Sequence, residues 1–319
     1  MSEVYLKKNS MPKVSVIIPV YGVEKYIERC ARSLFEQTLE DMEFIFVNDC
    51  TKDNSIDILL RVIDEYPKRK SQVHILNHEF NKGLPVARQT GIKAAKGEYI
   101  AHCDSDDWVS TNAYQVMYET AVRENADMTI CDFFVSDGVT NRPYYTTLYN
   151  TEENNLFVYI NIWTRLVKRS LYENDIQYPN YAMFEDRVLS MQLTTFAKKV
   201  ITISKPLYYY FCNVESICRV FTEEKCIQRW KQAVANTNIA MSALERKGLT
   251  EKYPVQVCRQ KYEARHQIAP ITNKSVYYKM WASCYPEINK VMFFSKRIKF
   301  SEHMRFILTY FRLFALLRK

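Results

Sequence analysis

Four short apolar runs within about a hundred residues, each separated from the next by a helix-spaced stretch, constrain this chain more than any other feature. Lys13-Val14-Ser15-Val16-Ile17-Ile18-Pro19 is β-branched and stopped by proline, a first strand buried on both faces. Tyr21 to Gln37 follows, with Ile27, Cys30, Ala31 and Leu34 at helical spacing. Glu43-Phe44-Ile45-Phe46-Val47-Asn48-Asp49 is a second strand ending in a carboxylate, and Asp53 then leads a helix carrying Ile56, Leu59, Leu60 and Ile63. Val73 to Leu76 is a weaker third strand, Asn81-Lys82-Gly83 a turn, and Leu84 to Lys96 a helix whose Ala87, Gly91 and Ala94 allow close packing. Gly97 ends that helix as a terminating glycine, and a strand from Glu98 to Cys103 begins at once. The pattern predicts an α/β fold with a mostly parallel sheet and helices on both faces, in which ligands bind at the carboxyl ends of the strands.

The fourth strand runs into Asp104-Ser105-Asp106-Asp107-Trp108, three carboxylates within four residues. Carboxylates that close raise each other's pKa, so a positive partner is expected. A divalent cation fits, because Mg²⁺ or Mn²⁺ takes hard oxygen ligands from one or two carboxylates plus substrate phosphates. A plain turn or helix cap remains the alternative, since Ser and Asp serve both. The first strand is followed by no Gly-rich fingerprint and the chain has no GKS or GKT loop, which argues against a nicotinamide dehydrogenase and a P-loop nucleotidase.

Beyond Trp108, Thr111 to Glu124 reads as a helix with Tyr114, Tyr118, Ala121 and Val122 inward, and Met128 to Val135 as a strand. Tyr144 to Leu148 is a candidate edge strand; after Glu152 the pattern loosens. Phe184-Glu185-Asp186-Arg187 opens a helix with its acidic pair in the favourable first turn. Val200 to Ile203 and Leu207 to Phe211 read as two short strands. From Thr222 the chain turns helical, with Ile227, Trp230, Val234, Met241 and Leu244 on one stripe. The expected organisation is a polar segment 1–12, a catalytic domain 13–217 (nucleotide-binding half 13–110, acceptor half 111–217), a helical extension 218–290 and a tail 291–319.

The tail holds seven Lys or Arg against one Glu, interleaved with Phe293, Phe294, Ile298, Phe300, Phe306, Ile307, Tyr310, Phe311 and further apolar residues. Such a segment lies flat on an anionic bilayer, or packs on the chain's own body with its basic ends pointing outward. The net charge of +8 suits an anionic partner. A nucleic-acid partner is not expected, because the basic residues cluster away from the acidic motifs rather than along a face of stacking aromatics. Nine Cys without a CxxC pair, a polar start from Met1 to Met11 and no long uncharged apolar run favour a cytoplasmic protein, peripheral on the inner face of a membrane if the tail binds one.

Val16-Ile17-Ile18-Pro19-Val20-Tyr21, Glu43 to Asp49 with Asp53-Asn54-Ser55, Asn81-Lys82-Gly83-Leu84 with Ala87-Arg88 and Gly91, and Gly97-Glu98-Tyr99-Ile100 with Asp104-Ser105-Asp106-Asp107-Trp108 together resemble the family 2 glycosyltransferases. These are inverting enzymes of the GT-A fold that use nucleotide sugars. The resemblance is dense over 13–110 and thinner to about 217. It implies that Pro19, Tyr21 and Glu24 line the nucleotide pocket, that Asp49 accepts a hydrogen bond from the base, usually uracil, and that Asp104 lies by the ribose. It implies that Asp106 holds Mn²⁺ or Mg²⁺ with help from Asp107, and that Arg88 lies near the nucleotide or its phosphates. Glu185-Asp186 resembles the family's acidic pair, with Asp186 the general base and Glu185 orienting a neighbour or the acceptor. Asn161-Ile162-Trp163 with Lys168 resembles the stretch that precedes this pair in capsule and lipopolysaccharide enzymes.

The resemblance has departures. The usual Asp-Asp-Gly-Ser-Thr-Asp is Asn48-Asp49-Cys50-Thr51-Lys52-Asp53 here, and Phe211 follows the tyrosines where Arg is common. Gln228-Arg229-Trp230 only echoes the processive enzymes' motif, so transfer of a single sugar is expected. The implied function is metal-dependent transfer from a nucleotide sugar, UDP-linked by preference, to a glycan or lipid-linked glycan in bacterial surface polysaccharide synthesis. A nucleotidyltransferase is the rival enzyme class; Pro19-Val20-Tyr21-Gly22 lacks the Gly-rich basic loop it needs.

Overall fold

The computed structural model describes residues 11–145, 150–212 and 222–313. Its strands are β1 (Val14–Val20), β2 (Met42–Asn48), β3 (Val73–Asn77), β4 (Tyr99–His102), β5 (Trp108–Val109), β6 (Met128–Ser136), β7 (Asn141–Tyr144), β8 (Arg165–Lys168) and β9 (Val200–Phe211). The helices are α1 (Ile27–Phe35), α2 (Ser55–Glu65), α3 (Leu84–Ala94), α4 (Ala113–Glu124), α5 (Glu152–Phe157), α6 (Glu185–Phe196), α7 (Glu223–Glu245), α8 (Leu249–Lys252), α9 (Pro254–His266), α10 (Ser275–Ser283), α11 (Asn289–Phe294) and α12 (Phe300–Tyr310).

One mixed sheet runs in the order β3-β2-β1-β4-β8-β6-β9-β5, with β7 on β6. The first four strands are parallel, and β1 lies between β2 and β4. Both faces of β1 are buried, as its unbroken apolar run requires. One face packs Val14, Val16, Ile18, Phe44, Phe46, Tyr99 and Ala101 against α1, α2 and α4. The other packs Ile17, Ile45, Val47 and Ile100 with Ala87 of α3 and Leu189 and Leu193 of α6. α7 packs on α6 through Met191, Ala240, Met241 and Leu244, so the helical extension continues the same body.

The structure corrects several expectations. Pro19 does not stop β1: it pairs with Val47, while pairing with β4 ends at Ile17 opposite His102. Its missing N–H points toward the side where β4 has already finished, and costs no ladder bond. Gly97 is not a left-handed cap. α3 ends at Ala94, and a Cβ on Gly97 would stand 2.6 Å from the N and Oγ of Ser15. Its amide is shared between Ser15 Oγ (2.8 Å) and Glu43 Oε1 (3.1 Å) on two neighbouring strands. Gly91 meets Ile17 equally closely, as the small-residue face of α3 implies.

β8 was not foreseen, although it sits antiparallel between β4 and β6 near the middle of the sheet. Only Leu166 and Val167 are apolar in it, and its buried Arg165 donates to Thr194 Oγ1 (2.9 Å) and Asn155 O (2.9 Å), hiding the strand pattern. The two expected strands after Val200 are one, bent where its register with β6 shifts near Asp132. α1 starts at Ile27, after the left-handed Gly22. On α4, Val122 is exposed and Met117 faces the core instead. The edge strand is β7; Thr146, Thr147 and Leu148 lie outside the described residues, as do Asn213 to Ile217 and Phe314, Leu316 and Leu317 of the tail.

The tail is not a free segment over its described part. Ile298 and Phe306 are buried with Met292, Ile288, Trp281 and Tyr262, and Glu302 pairs with Arg259 (2.6 and 2.8 Å). Packing therefore continues across residue 291.

Replacing Gly97 by Ala forces the β1 backbone aside and should cost about 1–3 kcal/mol, as overpacking a tight core site does. Urea unfolding of the variant and the parent checks this; equal midpoints and slopes would show that the approach is looser than described.

Candidate active site

The loops after β1 and β2 are zipped together. Gly22 N donates to Thr51 Oγ1 (2.9 Å), Val23 N to Ser55 Oγ (3.1 Å) and Glu24 N to Asp53 Oδ2 (2.9 Å). Glu24 Oε2 returns the bond, accepting from Asn54 N at the start of α2 (3.1 Å). Cys50 holds the left-handed conformation (φ 57°) that a glycine takes without strain, so the altered loop keeps its turn. Tyr21 is 53% exposed at the end of β1, while Pro19 is buried within the strand.

Asp49 is buried and fully engaged. Oδ1 meets His78 Nδ1 (2.7 Å) and accepts from Lys82 N (2.8 Å), and Oδ2 accepts from Gly83 N (2.8 Å). It ties the turn before α3 to the end of β2. Sequence reasoning saw the carboxylate and the turn separately, and missed His78, which also reaches Thr90 Oγ1 (2.9 Å).

The acidic run after β4 divides by function. Asp107 is buried, with Oδ2 accepting from Tyr208 Oη (2.6 Å) and Oδ1 from Phe211 N (2.7 Å). Both oxygens thus tie the acidic run to β9. Tyr208 Oη also accepts from Asp104 N (3.0 Å), so one phenol fixes two members of the run. Only the Tyr208-Tyr209-Tyr210 cluster could have signalled it in the sequence. The Asp106 carboxylate takes no hydrogen bond from another described side chain, and burial with Asp104 nearby pushes it up to about 6. Arg29 donates to the Asp106 carbonyl (3.0 Å) and lies 3.7 Å over the Trp108 ring, backing the loop from α1.

Among the described residues no group of three or more His, Cys, Asp or Glu is arranged to hold a metal ion. Two carboxylates separated by a single residue, one of them free of side-chain partners, fit a cation that takes most of its ligands from phosphates and water. Asp106 and Asp104 are that pair.

Arg88, on α3, is fully buried and organises the rest. Its Nη2 donates to Asp104 Oδ1 (2.7 Å), its Nε donates to Glu185 Oε1 (2.8 Å), and Nη2 also lies 3.7 Å from Asp186 Oδ1. The guanidinium therefore faces three carboxylates, and its Nη1 is left without a hydrogen-bond partner. Glu185 is buried in the first turn of α6, where the helix begins after a left-handed Phe184 (φ 64°). Asp186 keeps 27% of its side chain exposed, with Oδ1 shut from solvent and without a hydrogen bond. Burial and the neighbouring Glu185 raise its carboxyl well above the usual range, against the lowering effect of Arg88. A carboxylate that is hard to ionise, beside the surface and opposite the acidic loop, is suited to accept a proton. The structure thus brings Asp104, Arg88, Glu185 and Asp186 together, and sets Asp106 beside Asp104. Tyr21, Glu24 and Asp49 lie at the neighbouring strand ends.

The model of the glycosyl transferase family 2 matches residues 15–190. The uncharacterized glycosyltransferase EpsJ of Bacillus subtilis is 33% identical over 226 residues, which are 66% of this chain and 64% of EpsJ. The chain thus spans less than two thirds of that relative's length. Among solved structures, Staphylococcus aureus TarS 1–349 in complex with UDP-GlcNAc superposes with a TM-score of 0.60 at 18% identity, covering 96% of this chain and 91% of that one. The mannosyltransferase PcManGT of Pyrobaculum calidifontis, in complex with GDP-Man and Mn²⁺, gives 0.57 at 13%, covering 97% and 87%. Both are likenesses of fold. The family match extends over more than half of the residues, and the chain belongs to glycosyl transferase family 2.

Proposed function

We propose that the chain is a metal-dependent, inverting glycosyltransferase that moves one sugar from a UDP-sugar to a hydroxyl of a glycan or lipid-linked glycan in cell-surface polysaccharide synthesis. The observation that carries this is the convergence of the strand-end Asp104 and a helix-borne acidic pair on the buried Arg88. The solved relative with UDP-GlcNAc and the one with GDP-Man and Mn²⁺ support a nucleotide-sugar donor and a divalent ion.

Asp106 and Asp104 would hold Mn²⁺ or Mg²⁺, which when bound neutralises the charge that develops on the departing diphosphate. Tyr21 is exposed just after β1, where its ring is free to stack on a base. Glu24 and Asp49 act on the nucleotide through the loops they fix, and Asp107 holds the acidic run against β9. Asp186 takes the proton from the acceptor hydroxyl as its oxygen attacks the anomeric carbon on the face away from the diphosphate. Glu185 keeps Arg88, and with it the first turn of α6, in place. One displacement inverts the anomeric centre.

Peripheral membrane attachment is part of the proposal. On α12, Phe300, Met304 and Phe311 share the stripe opposite the buried Glu302, Phe306 and Thr309. Phe300 is 81% exposed and Phe311 61%, with the exposed Lys299, Arg305 and Arg312 around them. A helix apolar on both sides, with one side covered by its own body and the other ringed by basic residues, suits the headgroup layer of an anionic bilayer. Among the described residues no helix is long and apolar enough to cross a membrane.

Asp186→Asn should lower turnover by about 10² or more while UDP binding with Mn²⁺ stays close to that of the parent. Loss of binding together with turnover would remove Asp186 from the base role. With Mn²⁺ saturating, kcat/KM should climb with pH along a limb lying above the ordinary aspartate value of about 4, because the base works only when ionised. A limb at the ordinary value would contradict that assignment. In flotation with vesicles containing phosphatidylglycerol, the protein should rise with the lipid, and the double change of Phe300 and Phe311 to Ser should abolish this at low salt. Equal flotation of both proteins would place the contact elsewhere.

A further inference from the structure

Arg88 occupies a place that an ordinary core ion pair would not need. It reaches from α3 to carboxylates of two separate origins, Asp104 at the end of β4 and Glu185 with Asp186 on α6. A single nitrogen, Nη2, stands between the two sets, 2.7 Å from Asp104 Oδ1 and 3.7 Å from Asp186 Oδ1. The cluster is also incompletely satisfied. Arg88 Nη1, Glu185 Oε2 and Asp186 Oδ1 are all buried without a hydrogen-bond partner. Buried polar atoms are rarely left so, and three in one cluster call for an explanation beyond packing. The first turn of α6 is held from behind as well, where Asn236 of α7 donates to Tyr181 O (2.6 Å) and Met183 O (2.8 Å) in the segment leading into it. Arg187 of the same turn donates to Glu263 Oε2 on α9 (2.5 Å), while Arg88 holds the side that faces Asp104.

We propose that Arg88 is a positioning residue that couples the two halves of the site: when a bound donor engages Asp104, Nη2 closes on Asp186 Oδ1 and the first turn of α6 tightens, so that the base is completed only with the donor in place. The inference rests on the assignment of Asp104 to the donor and Asp186 to the acceptor side. It gives Glu185 the task of keeping the guanidinium anchored on α6 while its other arm changes partner. A lysine at position 88 keeps a charge, but it has a single point of contact and cannot hold Asp104 and Glu185 through separate nitrogens.

Amide hydrogen exchange of peptides covering 180–192, with and without UDP plus Mn²⁺, tests the coupling without an acceptor or turnover. In the parent protein the nucleotide should slow exchange in these peptides. In Arg88→Lys calorimetry should still detect UDP with Mn²⁺, but the slowing at 180–192 should be lost, and UDP release from UDP-GlcNAc or UDP-glucose should fall about 10-fold or more in kcat with little change in KM. Glu185→Gln, which leaves Arg88 intact and weakens its anchor, should uncouple in the same way and serves where Arg88→Lys does not fold. Slowing at 180–192 that persists in the substituted proteins, or its absence from a parent that binds UDP, would overturn the coupling. A parent that binds no UDP with Mn²⁺ would instead defeat the functional proposal on which it rests.

Discussion

A guanidinium removed from water must be paired, and carboxylates crowded at one end of a sheet must be neutralised; in this protein each requirement answers the other. Arg88 is buried on α3 between Asp104 and Glu185, with Asp186 just beyond hydrogen-bonding reach. Taking away one partner of such a buried set leaves uncompensated charge and typically costs about 3–5 kcal/mol. That energy fixes where α6 meets the parallel half of the sheet, since Arg88 and Asp104 come from the β1–β4 region and Glu185 from the helix. The candidate chemistry and the packing of the second half of the domain thus share one interaction.

A second layer of polar ties positions the strand-end loops around it. Asp49 binds the turn before α3, Glu24 and Asp53 cross-link the loops after β1 and β2, and Asp107 with Tyr208 fastens the acidic run to β9. Several carboxylates that read as ligand contacts in the sequence are therefore satisfied within the protein. Among the described residues of the site, Asp106, the second oxygen of Asp104 and the partly exposed Asp186 are the carboxylates that the functional proposal assigns to a ligand. This division narrows the direct contacts to few residues and makes the others determinants of loop shape.

The parallel half was legible because burial on both faces leaves an unbroken apolar run, and β1, β2 and β4 have one each. Their ends could be read as ligand sites from topology alone. What escaped was signalled by polar residues in apolar places. Arg165 disguised β8, the register shift near Asp132 made β9 look like two strands, and Pro19 looked like a stop because pairing on its open side cannot be seen in one strand. The partners of Arg88 lie 16 and 97 residues away, beyond the reach of periodicity. The sequence of the tail shows its apolar residues but not that α12 has two apolar sides, and only the fold reveals which one the protein keeps for itself.

The most direct test of the account is calorimetric titration of the protein with UDP, in Mn²⁺ and in EDTA, beside the Asp106→Asn variant. The account predicts binding to the parent in Mn²⁺ that disappears in EDTA and is markedly weakened in the variant. Binding of equal strength in both buffers, or an Asp106→Asn variant that binds as the parent does, would contradict a metal-assisted nucleotide-sugar site at the end of β4.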